Sequence, residues 1–359
     1  MARPIAYSPA LETREPDETD TSVGLREQLH TILETTASDY GHAVRSVHAK
    51  GHALVDARLE VLDNLPPELA QGLFATPGRH DAILRFSTNA GDILTDKISL
   101  PRGVAIKILG VEGDRLPGSE DSRAQDLLMI NAPVFAAPTA KAFLGNLKLL
   151  TKTTDRAEGA KVALSALLRW TEKAIEAVGG ESATLKTLGG APHVHPLGEQ
   201  YFTATAFRYG DHVAKLSLVP VSPSLTRFSG EEIAIDGRDD ALREEIDSGF
   251  DQGGTWELRV QLCIDAEAMP IEDATVEWDQ AASPYVTVAR LIAGPQSTWA
   301  GDTSIGREDS LSFSPWHGLA AHQPLGRINR VRKPAYEMSA DFRARVNGCP
   351  MHEPMSHAD

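Results

Sequence analysis

Arg327-Ile-Asn-Arg-Val-Arg332-Lys-Pro-Ala-Tyr336-Glu-Met-Ser-Ala-Asp-Phe-Arg343 stands near the end of the 359-residue chain and sets the terms for what lies upstream. Pro334 suits the first position of a helix, where its missing N–H costs nothing. From there Tyr336 and Arg343, seven residues apart, fall on one face about two turns from each other, so both can point at one flat object. Tyrosine is a poor anion at neutral pH, with a reference pKa of about 10, but a helix N-terminus and the Arg332 guanidinium four residues earlier would both favour the phenolate. A phenolate is an axial ligand for heme iron.

Three earlier segments bear on that reading: Arg45-Ser-Val-His48-Ala-Lys-Gly51, Leu84-Arg85-Phe-Ser87-Thr88 and Pro101-Arg102-Gly103-Val-Ala-Ile-Lys107. The Arg332-x-x-x-Tyr336 spacing resembles the proximal heme ligand of catalases. The first of the three segments resembles the catalase distal-histidine segment, and the other two resemble the strands after it. An Arg-x-x-x-Tyr spacing alone recurs by chance, whereas three further segments in the family's order are specific. The resemblance covers roughly Tyr40 to Arg345. It implies an α+β fold: a catalase-like antiparallel β-barrel from strands between about Val44 and Val288, with helices packed around it.

The resemblance also implies roles. His48 is the distal base, taking a proton from the near oxygen of a peroxide and returning it to the far one, with a pKa near neutrality that suits both directions. Ser87 accepts the proton on the other imidazole nitrogen and so fixes the tautomer. Arg45, Arg85 and Arg343 match partners of the heme propionates. Val47 agrees with catalases beside His48, and Arg332 and Tyr336 form the proximal pair, with Tyr336 the ligand to iron. Asp126-Leu-Leu-Met-Ile130-Asn131-Ala-Pro133-Val-Phe135 resembles the segment that supplies the distal asparagine, and Phe135 and Phe143 match aromatic residues of the distal pocket. Here the chain departs from the pattern: Ile130 stands at the asparagine position, with Asn131 one residue later. Either a backbone bulge lets Asn131 substitute as the catalytic amide, or the pocket favours peroxidase work or an organic hydroperoxide whose tail welcomes an apolar wall.

Without the family, several of these residues have ordinary readings: a strand histidine is usually structural, a strand hydroxyl serves backbone, an arginine makes a surface ion pair and two phenylalanines fill a core. Their joint agreement outweighs those readings. The implied cofactor is heme b with its iron, and the implied substrate is hydrogen peroxide or an organic hydroperoxide, with a reductant that sequence does not name. Two alternatives stay open: a hydroperoxide-transforming enzyme of the allene-oxide-synthase type, and a heme-binding sensor or carrier without turnover.

Composition is that of a globular protein long enough to bury a heme-sized ligand. A formal net charge of −15 disfavours nucleic acid and anionic membrane. No apolar run of spanning length and no signal-peptide core appear, so a cytoplasmic location is the expectation. Cys263 and Cys349 make no disulfide framework. The resemblance implies a homo-oligomer.

Residues 1–22, rich in Pro, Glu, Asp and Thr, read as a mobile N-terminal arm, 23–345 as the catalase-like heme domain and 346–359 as a short C-terminal tail. Leu25, Leu29, Ile32 and Leu33 predict an amphipathic helix from Val23 to about Tyr40. Val44 to Val61 alternates as a strand does, placing His48 in an extended run. Ala140 to about Ala177 has helical patterning, and Gly179-Gly180 and Gly189-Gly190 bracket a flexible passage. His193-Val-His195 has metal-like spacing but reads as a turn between prolines. Tyr201 to Val221 alternates as a strand does, Trp256 to Asp265 is a further strand, and Met269 to Trp278 resembles the catalase stretch leading from the last barrel strand into a Val-x-Trp turn. Cys349-Pro-Met-His352 reads as a disordered terminus.

Overall fold

Alternating apolar side chains give the chain two long strands from which a sheet grows. In a computed structural model, which describes residues 3–151, 192–351 and 353–354, these are β1 (Gly51–Val61) and β2 (Gly78–Thr88), paired antiparallel from Gly51 opposite Ser87 to Val61 opposite Gly78. Then come β3 (Arg102–Ile108), β4 (Gln125–Ile130), β5 (Tyr201–Phe202), β6 (Phe207–Tyr209), β7 (His212–Pro220), β8 (Gly254–Leu262) and β9 (Val286–Ala293). Neighbours run antiparallel in the order β5-β4-β3-β2-β1-β9-β8-β7-β6, and a further pairing of β5 with β7 closes a barrel of eight strands, leaving β6 as a flap on β7. The expected antiparallel barrel is therefore present. Every second residue points inward: Ala53, Val55 and Leu59, then Leu84 and Phe86, then Trp256, Leu258 and Val260 meet in one core.

Five helices matter for the site: α1 (Glu18–Tyr40), α2 (Ala140–Thr151), α3 (Ala241–Gly249), α4 (Asp302–Ser310) and α5 (Arg327–Asn347). Leu25, Leu29 and Ile32 of α1 pack on Leu144 of α2 and on Val331 and Ala335 of α5. Gly41 (φ 65°) and Gly348 (φ 63°) end α1 and α5 in the left-handed conformation that glycine adopts without a Cβ clash.

Several expectations are corrected. The strand containing His48 does not begin at Val44: β1 starts at Gly51, and His48 sits in the turn before it with φ 53°. Pro334 is interior to α5, not at its start; tertiary contacts along both halves of the helix outweigh the hydrogen bond it forgoes. The barrel extends past Val288, since β9 runs from Val286 to Ala293. Ala204, at φ 57°, interrupts the Tyr201–Val221 alternation and separates β5 from β6.

Where composition predicts a mobile arm, residues 3–17 lie against the body. Ile5 N–H donates to Cys263 O (2.9 Å) and Tyr7 N–H to Asp211 O (2.7 Å). The arm's acids serve the start of α5: Glu12 pairs with Arg330 at 2.6 Å and Glu15 with Arg327 at 2.6 Å. The tail also docks, with Glu353 3.2 Å from the fully buried Lys107. The turn expected at His193-Val-His195 is instead extended: Val194 bridges Glu232 antiparallel, and the His195 ring stacks on Phe228 while its Nδ1 accepts from Leu197 N–H. Among the described residues no His, Cys, Asp and Glu cluster suits a metal, and no helix is long and apolar enough to cross a membrane. The helical patterning beyond Thr151, both glycine pairs and His352 lie outside the described residues.

Candidate active site

The turn before β1, the first half of β3, the end of β4 and the loop after it, residues 312–317 and the stretch of α5 from Arg332 to Arg343 line a cavity of about 560 Å³. That is the size of a site for a small organic ligand or cofactor. Arg45, Val47, His48, Arg85, Ser87, Phe135, Arg332, Tyr336 and Arg343 all line it, so the sequence-predicted set converges although its members span nearly three hundred positions.

His48 owes its place to two neighbours. On β3 the residue opposite Ser87 is Gly103, and the imidazole lies over it: a Cβ at Gly103 would come within 2.6 Å of the ring's Cε1. Arg85 Nη2 donates to the His48 carbonyl (2.8 Å), which holds the left-handed turn. Imidazole Nδ1 then stands 3.0 Å from Ser87 Oγ. With the hydroxyl accepting, Nδ1 carries the proton and Nε2 keeps a free lone pair.

The expected near-neutral pKa of His48 is corrected. Removal from bulk water, reinforced by the charges of Arg85, Arg332 and Arg45, pushes the imidazole down to about 3, so it is neutral throughout the physiological range.

Tyr336 lies in the third turn of α5, beyond the first turn where a helix dipole acts. Arg332 Nη2 donates to Tyr336 Oη at 3.0 Å. Asn329, which sequence reading passed over, accepts from Arg332 Nη1 at 3.2 Å, while its own amide is fixed by Leu325 O and Ala206 O. The signal was there, since Asn329 and Arg332 are three apart on one helical face.

The three expected arginines form one group, and it contains an unforeseen acid. Glu308 of α4 accepts from Arg45 Nη1 (3.1 Å) and from Arg85 Nε and Nη2. Arg343 is nearly fully buried, donates to Asp309 O and Leu311 O, and has an Nε with no partner. Burial and the neighbouring Arg85 push its guanidinium down to about 10. Glu308 thus pairs directly with two of the three guanidinium groups, and the Asp309 carboxylate adds its charge near Arg45 and Arg343.

Asn131 does not join the site. Its Oδ1 accepts from Arg102 N–H (2.9 Å) and its Nδ2 donates to Glu199 (2.8 Å), so the amide is spent on the buried Arg102–Glu199 pair. The bulge that would have turned it inward is absent, because β3 and β4 keep register to Gly103 opposite Ile130. Ile130 lines the cavity in its stead. Phe135 also lines it, whereas Phe143, on α2, stands behind and meets Phe135 edge-on at 5.2 Å.

These groups fit a heme: a phenol held by a guanidinium, an imidazole over a side-chain-free glycine, and three guanidinium groups at the cavity wall, one with an orphaned buried N–H.

No protein-family model and no curated protein sequence matches the chain. Among solved structures it is similar to a fungal catalase (TM-score 0.58, 20% identity, 88% of this chain and 62% of that one). It is also similar to catalase A from Saccharomyces cerevisiae (TM-score 0.56, 17% identity, 96% and 67%) and to a bacterial catalase (TM-score 0.56, 18% identity, 93% and 63%). The fold is thus the α+β fold of catalases. This chain spans 62–67% of the length of those catalase chains.

Proposed function

We propose that this chain is a heme-dependent oxidoreductase that consumes peroxide, in which Tyr336 would hold the heme iron and His48 would serve as the base. The observation that carries this is the shared cavity: an imidazole with its tautomer set by Ser87 and a phenol hydrogen-bonded by Arg332 line the same chamber. When bound there, heme iron supplies the redox centre and Lewis acid for cleaving an O–O bond.

The remaining work falls to side chains. Arg332 holds the Tyr336 oxygen by a direct charge-assisted hydrogen bond. Arg45, Arg85 and Arg343 hold the two heme carboxylates. Neutral His48 takes the proton from the near peroxide oxygen at Nε2 and delivers it to the far oxygen, which leaves as water, or as an alcohol when the substrate is an organic hydroperoxide. Its low pKa makes it a weak acceptor but a strong donor once protonated, which favours the second transfer.

Ile130 favours a second reading of the substrate. With an aliphatic side chain where an amide would orient a small polar peroxide, and Asn131 committed elsewhere, the wall suits a hydroperoxide with an apolar tail. Titrating heme-loaded protein with hydrogen peroxide and, separately, with cumene hydroperoxide tests both readings. Oxygen release from the first assigns catalase work; consumption of the second with a reductant, without oxygen release, assigns peroxidase work. Inertness to both would overturn the proposal.

A further inference from the structure

The chain does not leave the cavity where α5 ends. Beyond Gly348 it folds back, so that Met351 and Glu353 line the chamber and Pro354 is buried. Side chains hold this stretch. Among the described residues no backbone hydrogen bond joins 349–354 to the body, and Pro350 and Pro354 have no N–H to offer. Met351 Sδ accepts from Arg343 Nη2 at 3.5 Å, and a thioether is a weak acceptor.

Glu353 is held far more closely. Both of its carboxylate oxygens lie 3.2 Å from Lys107 Nζ, and Ser122 Oγ (3.4 Å) and Ser312 Oγ (3.5 Å) donate to them. His317 Nδ1 stands 3.5 Å away. These groups come from β3, from the loop before β4 and from the loop between α4 and α5, so the body builds the cradle and the tail fills it. Lys107 is fully buried, with Asp126 opposite it on β4, and its Nζ meets that carboxylate at 2.8 Å independently of the tail. Lifting Glu353 therefore leaves Lys107 paired, while the cradle's remaining donors face open space.

We propose that Lys107, Ser122, Ser312 and His317 form a carboxylate site whose resident occupant is the chain's own Glu353, and that the tail held there is a strap across the cavity that lifts to admit a ligand. A free carboxylate competes for the same cradle and releases the strap. The inference concerns access rather than chemistry, and it does not depend on the ligand being heme. A tethered group acts at an effective concentration on the order of millimolar, so about 1 M acetate outcompetes Glu353 where chloride does not.

Diethyl pyrocarbonate, which acylates neutral imidazole, provides the test on the full-length, heme-free protein. His48 lines the cavity, so its rate of modification, read from peptide masses, reports entry. In the wild type, acetate at about 1 M should raise that rate several-fold over chloride at the same concentration and pH. Glu353→Gln keeps the shape and loses the charge. It should raise the rate about tenfold in chloride, the equivalent of one charge-assisted hydrogen bond, with no further gain from acetate. Met351→Ala should raise the rate by less and keep the response to acetate, because Glu353 still occupies the cradle; it carries the test if Glu353→Gln does not fold.

An acetate response that is absent in the wild type, or that survives Glu353→Gln undiminished, overturns the carboxylate site. Equal rates at His48 in chloride for the wild type and both variants overturn the strap. Neither result bears on the heme reading, because the assay contains no porphyrin.

Discussion

Gly103→Ala isolates the placement of His48 from its chemistry. The added methyl would stand 2.6 Å from imidazole Cε1 and 3.0 Å from Nδ1. Ordinary contact begins near 3.4 Å, so the ring must retreat from the methyl by about 0.8 Å. A shift of that size at a proton-transferring group costs on the order of 10²-fold in rate. Stability should change far less, because alanine regains about 0.5–1 kcal/mol in a strand interior against about 1–3 kcal/mol for the crowding. Typical domains have about 5–15 kcal/mol to spend, so the variant folds.

The assay is the initial rate of hydrogen peroxide loss per bound heme, with heme stoichiometry from the absorption spectrum and melting temperature measured alongside. The expected pattern is full heme loading, a melting temperature within a few degrees of the wild type, and kcat/KM down about a hundredfold. An unchanged kcat/KM at full loading would refute the claim that His48 works from this position.

Other outcomes can be stated more briefly. His48→Ala should abolish peroxide turnover by about 10²–10⁴-fold while leaving the heme spectrum in place; turnover that persists removes His48 as the base. Because His48 titrates near 3 in the folded chain and near 6.5 when unfolded, the unfolded chain binds the extra proton between those values. The stability associated with this residue is therefore full above about pH 6.5 and falls as pH drops toward 3, and acid melting curves of wild type and His48→Ala should diverge in that window. Tyr336→Phe should lose heme or move its spectrum away from a tyrosinate form, and an identical spectrum with unchanged stoichiometry would assign another ligand. Asn131→Ala should cost about 1–3 kcal/mol by stranding the Arg102 N–H, with no change in rate per heme; a selective loss of rate would return Asn131 to the chemistry.

Motifs located the site well and described its shape poorly. Arg45, His48, Arg85, Ser87, Tyr336 and Arg343 were each legible from short segments, and the folded chain brings them to one chamber. The left-handed backbone of His48 was not, since a histidine before a long alternating run reads as extended and gives no local cue for positive φ. Pro334 misled for the opposite reason, its strong local preference for a helix start being overruled by packing on α1. Glu308 sits in an acidic, polar helix that looks solvent-facing. Its partners Arg45 and Arg85 are 263 and 223 positions away, beyond any periodicity. Asn131 was misassigned because one residue of offset in a strand changes the face a side chain occupies, and only the register of β3 with β4 decides which.

The ring of strands is joined unevenly. β1 and β2 share a ladder along their whole length, but β4 meets β5 at a single pair, Ile130 with Phe202, and β5 is itself two residues long. The barrel therefore has a short joint, and the side chain that rims the chamber is one half of it. Breathing of the wall and widening of the chamber are then the same motion, and amide exchange at Phe202 becomes a gauge of how readily the interior admits a guest.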